Sequence, residues 1–268
     1  MRTIFPKHFF RKDTKKKIEL TLRALCVSLA NYLKIRIFIL IVLCFSIGTV
    51  SIEVLALPPF WTQDTQFSLG EAESTQPDVS ARGDKVFVVW ADNRINEHYE
   101  LFFRYSSDGG LTWSIEERIT ETSADSIQPA IVCGRNSVHL VWREKEKRTS
   151  LPEESTLFYS RWDEESWSSP QKLSLNSQNN PRRPDIAITQ TDVVYVVWEE
   201  DYEDSQSGIS STKAYFTFSR DRNDTFQKPQ LITVGDWNTS EPKVTGGYRT
   251  AYAVWRDERE ATAQIYTK

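Results

Sequence analysis

Val88-Val89-Trp90 has three counterparts further along the chain: Leu140-Val141-Trp142, Val196-Val197-Trp198 and Ala253-Val254-Trp255. The tryptophans of successive copies are 52, 56 and 57 residues apart. In each copy a proline precedes the tryptophan by about thirteen residues, charged residues follow it, and an aromatic run comes next. Four copies in the same internal order indicate a repeat architecture.

Each repeat has the pattern of four short β-strands. β-Branched and aromatic residues dominate the strands, and turn residues such as Arg82-Gly83-Asp84 separate them. In the first repeat the predicted strands are Pro77–Ala81, Lys85–Ala91, Glu100–Ser106 and Trp113–Ile119.

A four-stranded unit that repeats at this interval predicts an all-β β-propeller with one unit per blade. The predicted blades cover residues 76–121, 128–175, 183–234 and 241–268. A flat stack of hairpins is the alternative. Because the fourth unit stops where its last turn should begin, we expect an incomplete arc of about 3.5 blades, either a fragment or an arc that closes with a second copy.

The sharpest local motif lies in the turn between the third and fourth strands. The first repeat has Ser106-x-Asp108-x-Gly110-x-Thr112-Trp113, and the third has Ser219-x-Asp221-x-Asn223-x-Thr225-Phe226. A degenerate version occupies Ser160–Trp167. The aspartate can accept hydrogen bonds from the turn, glycine or asparagine allows a positive φ, and the aromatic ring packs back against the sheet.

These residues resemble the Asp-box, or BNR repeat, of the sialidase family. The resemblance extends over residues 76–268 and implies a sialidase-like propeller, which has six blades in that family. Asp-boxes are structural turns remote from the active site, and they also occur in binding propellers. The motif by itself therefore implies no catalysis.

The family's enzymes hold a substrate carboxylate with three arginines and use a tyrosine nucleophile assisted by a glutamate, together with an aspartate acid. The first arginine belongs to a Phe-Arg-Ile-Pro motif. Here Thr75 stands at that position, in Ser74-Thr75-Gln76-Pro77. Pro181-Arg182-Arg183-Pro184 is closer to the motif, and no tyrosine–glutamate pair can be singled out.

Two functions are consistent with these residues. The first is an exported, sialidase-like propeller that acts as a glycan- or protein-binding module or scaffold. The second is a glycoside hydrolase of the exo-sialidase type whose later blades are missing from this chain. In that case Arg182 or Arg183 would clamp the substrate carboxylate.

An up-and-down topology places the Asp-box turns on the face opposite the charged residues that follow each tryptophan. Because loops on a rigid scaffold usually carry binding sites, those charged residues and the Arg-Arg pair form the candidate site. One interpretation is a polar pocket at the central axis, and the other is a solvated rim with local ion pairs. The candidate binding residues are Asp92, Arg94, Glu100, Arg182, Arg183, Glu199, Glu200, Arg256, Asp257 and Arg259.

The N-terminal segment differs in character from the repeats. Residues 1–36 carry ten Lys and Arg and two acids, a net charge of +8, whereas the rest of the chain carries −12. An apolar run fills most of residues 37–57, and a linker follows at 58–75. A basic cytoplasmic head before an apolar run predicts a cleaved signal peptide or an uncleaved membrane anchor, with the repeats outside the cytoplasm. A buried core helix is the remaining alternative.

Charge and cysteine content exclude several partners. An acidic body repels phosphate backbones, which argues against nucleic-acid binding. Cys133 is the single cysteine of the repeats, so no disulfide forms within them, and the three histidines are too scattered for a zinc site. We therefore expect no metal and no cofactor.

Overall fold

The computed structural model describes residues 64–95, 98–146, 154–176, 179–203, 210–219 and 225–268. Gln66–Lys268 forms one compact unit. The basic head, the apolar segment at 37–57 and the start of the linker lie outside the described residues, as do Asp221 and Asn223, so the predictions made for them stay predictions. Within the described ranges, no helix is long and apolar enough to cross a bilayer.

The first two sheets are antiparallel and four-stranded, with neighbouring strands in chain order. The first sheet contains β1 (Ser74–Arg82), β2 (Lys85–Ile95), β3 (His98–Ser106) and β4 (Glu117–Arg118). The second sheet contains β5 (Asp125–Cys133), β6 (Val138–Lys145), β7 (Ser155–Trp162) and β8 (Gln171–Lys172).

The third sheet repeats this arrangement, and the fourth has three strands. The third sheet contains β9 (Arg182–Ile188), β10 (Val194–Glu203), β11 (Ser210–Ser219) and β12 (Gln230–Leu231). The fourth sheet contains β13 (Thr239–Gly246), β14 (Ala251–Asp257) and β15 (Gln264–Thr267). The all-β prediction of three four-stranded units and a partial fourth is confirmed.

The predicted strand at Trp113–Ile119 is mostly wrong, because only Glu117–Arg118 pairs with β3. Ser114 explains the short strand. Its N–H donates to the carbonyl of Tyr105 at 2.8 Å, but its hydroxyl accepts the N–H of Tyr105 at 3.0 Å. A side chain therefore satisfies a backbone donor that a regular ladder would have paired with a carbonyl.

Hydrophobic side chains fill the space between consecutive sheets. Alternate residues of a strand point to opposite faces, so Phe87 and Val89 of β2 point toward the second sheet and join Leu140 and Trp142 in one core cluster. Equivalent clusters lie between the second and third sheets and between the third and fourth. Burial between sheets therefore holds the repeats together.

The repeated tryptophan has the same role in three of the four sheets. Trp142, Trp198 and Trp255 are at most 3% exposed, and each belongs to the cluster that its sheet shares with the preceding sheet. Trp90 occupies the equivalent position of the first sheet and points away from the second sheet.

The turn at Ser106–Trp113 is closed by the side chains of its motif. Asp108 accepts the N–H and the hydroxyl of Thr112 at 2.9 and 2.6 Å, and these bonds help hold the pKa of Asp108 down at about 2. Ser106 accepts the N–H of Gly110, whose φ is +86°. Gly109 N–H donates to the carbonyl of Asp84 at 2.7 Å, so this turn lies beside the β1–β2 turn. The turn therefore lies beside the start of β2 and opposite its C-terminal end, where Asp92 and Arg94 lie.

Candidate functional site

A bulge recurs in the first strand of every sheet. The residue before the repeated proline has a positive φ in each case: Gln76 (51°), Gln128 (52°), Arg183 (50°) and Glu241 (53°). The pairing with the second strand shifts register at this point. Left-handed conformations are uncommon in non-glycine residues and persist where their surroundings hold them in place.

Hydrogen bonds between neighbouring sheets hold these bulges. The side-chain oxygen of Gln76 accepts the N–H of Gln128 at 2.6 Å, and that of Gln128 accepts the N–H of Arg183 at 2.8 Å. Since arginine has no side-chain acceptor, Glu199 takes over and accepts the N–H of Glu241 at 2.8 Å. These hydrogen bonds thus link the first strands of the first three sheets, and they join the first strand of the fourth sheet to β10 of the third.

The four bulges line a groove between the first strands, which we call the axial groove. Its volume is about 490 Å³, and it is also lined by Asp78, Asp185 and Lys243. Lys243 Nζ lies 3.3 Å from Asp185 Oδ1. Burial raises the pKa of Asp185. The hydrogen bond from the backbone N–H of Val244 and the nearby charge of Lys243 act in the opposite direction. The groove offers both signs of charge to a ligand.

Asp92 and Arg94 form a bidentate ion pair at the end of β2. Arg94 Nε donates to Asp92 Oδ1 at 2.9 Å, and Nη2 donates to Oδ2 at 2.5 Å. Burial alone would raise the pKa of Asp92, but hydrogen bonds from Arg94 and Ser74 lower it on balance. The guanidinium also lies 4.4 Å from the ring centre of Phe102.

Asp257 and Arg259 repeat this arrangement at the end of β14. Their two hydrogen bonds are 2.8 and 2.6 Å long, and the guanidinium lies 3.9 Å from the ring centre of Tyr266. Hydrogen bonds from Arg259, and secondarily from Trp255, hold the pKa of Asp257 well below its usual range. Asp92 and Asp257 are at most 1% exposed, so these carboxylates are buried, not part of a solvated rim.

Glu199 binds both arginines of the Pro-Arg-Arg-Pro segment. Its Oε1 lies 2.9 Å from Arg182 Nε and 3.0 Å from Arg183 Nη1. Arg182 also contacts Asp201, with 2.7 Å between Nη1 and Oδ1. The Arg183 side chain is 55% exposed, whereas Glu199 is 1% exposed. Arg182 is therefore held within the third sheet, while Arg183 lines the axial groove.

The remaining candidate residues belong to separate local networks. Glu100 is buried and accepts a hydrogen bond from Arg118 at 3.0 Å. Glu200 is buried and accepts the indole N–H of Trp198 at 2.7 Å, and burial raises its pKa. Arg256 forms an ion pair with the glutamate two residues later.

The structure brings together part of the predicted site. Arg182, Arg183 and Glu199 lie together, and among the ten candidate binding residues Arg183 is the one that lines the axial groove in the described part of the chain. Sequence reasoning did not single out the groove residues Gln76, Gln128, Glu241 and Lys243. The sequence does mark the first three, because each of them stands directly before a repeated proline.

Solved structures share this fold at low sequence identity. A Dyadobacter fermentans protein of unknown function matches with a TM-score of 0.53 at 15% identity, over 74% of this chain and 66% of that one. A Hadza microbial sialidase matches with a TM-score of 0.51 at 14% identity, over 73% and 44%. Trypanosoma rangeli sialidase, in complex with 2,3-difluorosialic acid, matches with a TM-score of 0.51 at 12% identity, over 73% and 35%. The fold is a sialidase-like β-propeller.

The likeness extends to the fold and no further, because the identities are all 15% or lower. The chain spans 66% or less of the length of these three structures. No protein-family model matches the sequence, and no curated protein matches it. The propeller prediction is confirmed.

Proposed function

We propose that the protein is an exported propeller that binds a glycan or a protein partner and does not hydrolyse it. The contact surface in this proposal is the axial groove with the charged face around it. A rigid stack of sheets that carries polar groups at the ends of its strands suits such a role.

The pairing of the arginines carries the proposal. A sialidase needs arginines that are available for a substrate carboxylate. Here Arg94 and Arg259 each make two hydrogen bonds to a buried aspartate, and Arg182 is divided between Glu199 and Asp201. Removing an arginine from such a partner would leave a buried carboxylate unpaired, which is costly.

The position of Thr75 supports the same conclusion. The resemblance to sialidases expects an arginine there, but threonine cannot clamp a carboxylate through two parallel N–H groups. Thr75 does not line the axial groove. It lines a cavity on the face of the first sheet that points away from the second sheet. The first arginine of the triad is therefore replaced by a threonine, and that threonine lies outside the axial groove.

The exo-sialidase alternative rests on Arg183. This arginine lines the axial groove, and more than half of its side chain is exposed. A substrate carboxylate in the groove would reach it without displacing Arg94 or Arg259. Hydrolase activity would also need a nucleophile and an acid beside the bound sugar.

A hydrolysis assay separates the two functions. Full-length protein in detergent micelles is incubated with a 4-methylumbelliferyl glycoside of N-acetylneuraminic acid, and fluorophore release is measured. We expect no turnover above that of the variant Arg183→Ala, in which Glu199 keeps its ion pair with Arg182. Turnover that disappears in this variant, while its melting temperature stays unchanged, would contradict the binding-only proposal.

A glycan-array or partner-capture experiment tests the binding function itself. The Arg183→Ala variant alters the axial groove, and Arg135→Ala, at an exposed position of the β5–β6 turn, is the matched control. We expect the first variant to weaken binding at least tenfold and the second to leave it unchanged. If the two substitutions had equal effects on binding, the axial groove would not be the contact surface.

Export is the second element of the proposal. The contrast between the +8 head and the −12 remainder supports it, together with the apolar segment at 37–57. Fractionation of cells that express the full chain should place the propeller outside the cytoplasm. Sequencing of its N-terminus then separates a cleaved signal from a membrane anchor, and full-length protein in the cytosol would contradict export.

A further inference from the structure

Arg183 and Glu241, which both line the axial groove, bond to the same buried carboxylate. Arg183 Nη1 donates to Glu199 Oε1 at 3.0 Å, and the backbone N–H of Glu241 donates to Glu199 Oε2 at 2.8 Å. Glu199 is 1% exposed, whereas Arg183 and Glu241 are exposed residues. One carboxylate thus holds a cation and an anion side by side in the groove.

The side chains of Arg183 and Glu241 both have bonding capacity left for a ligand. Within the described ranges, the Glu241 carboxylate makes no hydrogen bond or ion pair, and the Arg183 guanidinium bonds to Glu199 alone. A guanidinium carries five N–H donors, so Arg183 can bind a second acceptor without releasing Glu199. A ligand therefore meets one available charge of each sign.

The other charged residues of the axial groove already have internal partners. Asp78 and Asp185 each accept a backbone N–H of the next sheet at 2.7 Å. Lys243 Nζ lies 3.3 Å from Asp185 Oδ1. Among the charged groove residues that the structure describes, Glu241 is therefore the one whose side chain is left without a partner.

Two glutamines add neutral hydrogen-bond donors to the axial groove. The side-chain oxygens of Gln76 and Gln128 each accept a backbone N–H of the next sheet. Their NH₂ groups have no partner among the residues that the structure describes, and an amide NH₂ donates but does not accept. The groove thus offers two further donors to ligand acceptors such as the carbonyl groups of an extended peptide.

The balance of charge in the axial groove favours a protein over a glycan. Asp78, Asp185 and Glu241 supply three carboxylates, and Arg183 and Lys243 supply two cations. An acidic glycan would add negative charge to a lining that already has more carboxylates than cations. A neutral glycan would supply no opposite charge to either available group. A peptide carries both signs of charge, so it can complement both groups.

We infer that the axial groove binds an extended segment of a protein partner, with an acidic side chain on Arg183 and a basic side chain on Glu241. The inference rests on the proposed function and selects its protein form over its glycan form. In an extended chain, side chains two residues apart point to the same side and lie about 6.6 Å apart. An acid and a base at that spacing suit two groove residues that share the carboxylate of Glu199.

The test measures binding of full-length protein in micelles to immobilised pools of acetylated heptapeptides by surface plasmon resonance. The third and fifth peptide positions are fixed, and the others are random. One pool has glutamate and lysine at the fixed positions, a second has them in reverse order, and in the control pools glutamine replaces one or both. We expect one doubly charged pool to bind about two- to fivefold better than the pools that lack either charge, which is the contribution of an exposed ion pair. Equal binding of all pools would overturn the inference.

Two variants separate the two contacts. Arg183→Ala should lose the preference for glutamate over glutamine in the peptide and keep the preference for lysine, and Glu241→Gln should do the reverse. Arg135→Ala and Glu165→Gln change exposed residues of turns at the opposite ends of the strands, so these matched controls should keep both preferences. If Arg183→Ala or Glu241→Gln also kept both preferences, the assigned pairing would be wrong.

A glycan array distinguishes failure of this inference from failure of the proposed function. Glycan binding that Arg183→Ala abolishes, with no preference among the peptide pools, would overturn the inference and leave the proposed function standing. Absence of binding to every peptide pool and to every glycan would contradict both.

Discussion

The side chain of Gln128 accepts the backbone N–H of Arg183 at 2.8 Å, across the boundary between the second and third sheets. The same glutamine donates its own N–H to Gln76 of the first sheet. One residue therefore connects three sheets, and it does so from a backbone conformation with positive φ.

Replacing Gln128 should weaken the contact between sheets. We expect Gln128→Ala to lower the free energy of unfolding by about 0.5–1.5 kcal/mol, because the N–H of Arg183 loses its acceptor. Urea unfolding measures the change. Gln128→Glu keeps an acceptor oxygen at the same position and should be closer to the native protein. Equal losses in both variants would mean that the hydrogen bond is not the cause.

The ion pair of Asp257 and Arg259 should stabilise the fourth sheet. We expect Asp257→Asn to cost about 1.5–3 kcal/mol, since the bonds to arginine are charge-assisted. Arg256→Ala is the control, because the ion pair of Arg256 lies nearer the surface and should contribute less than about 1 kcal/mol. A smaller loss in the asparagine variant than in the control would refute this ranking.

The pH dependence of Asp257 follows from its lowered pKa. A carboxyl whose pKa is lower in the folded state stabilises the fold fully above its unfolded value of about 3.8, and this stability is lost as the pH falls below that value. Asp257→Asn should therefore lose less stability than the native protein between about pH 4 and pH 2. Parallel pH profiles of the two proteins would contradict the assignment.

His139 should make the propeller less stable in mild acid. Its side chain is buried, its Nδ1 lies 2.6 Å from the hydroxyl of Tyr159, and burial lowers its pKa to about 3. Below the unfolded pKa of about 6.5 the unfolded chain binds a proton that the folded chain does not, so stability falls as the pH drops from 6.5 toward 3.

The slope of this loss is at most about 1.4 kcal/mol per pH unit for one proton. Thermal melts at pH 7, 6 and 5 measure it. His139→Gln keeps a polar side chain but cannot titrate, so its melting temperature should vary less over this range. If the stability of the native protein were constant from pH 7 to pH 5, His139 would not cause a loss of stability in acid.

Gly246 should tolerate no larger residue. A Cβ at this position would lie 2.1 Å from the backbone oxygen of Ile188, which belongs to the neighbouring sheet. We expect Gly246→Ala to cost about 3 kcal/mol or more, because two backbones would have to separate. The free energy of unfolding from urea titration measures the cost.

Gly83 provides the comparison for this substitution. A Cβ there meets nothing within 4 Å, although its φ of +64° disfavours alanine. Gly83→Ala should cost about 1–2 kcal/mol from backbone strain alone. If the Gly83 variant were the less stable of the two, the close approach at Gly246 would not be what limits the residue.

Much of the fold was predictable from the chain itself. Four units were predicted from the Val-Val-Trp repeats and the spacing of their prolines. The pattern recurs because each unit buries the same face and turns at the same place. The turn at Ser106–Trp113 could also be predicted, because the side-chain hydrogen bonds of its motif join residues at most four positions apart. Such local patterns depend on neighbours that the sequence itself places.

The partners of the charged residues were decided by tertiary structure. In sequence, Asp92-x-Arg94 and Asp257-x-Arg259 look alike, but Asp92 accepts the hydroxyl of Ser74, from the strand paired with β2, whereas Asp257 accepts the indole N–H of Trp255. The axial groove likewise forms from residues more than fifty positions apart, whose side chains meet only when the first strands lie side by side. A sequence names the donors and acceptors, and packing determines which of them come within hydrogen-bonding distance.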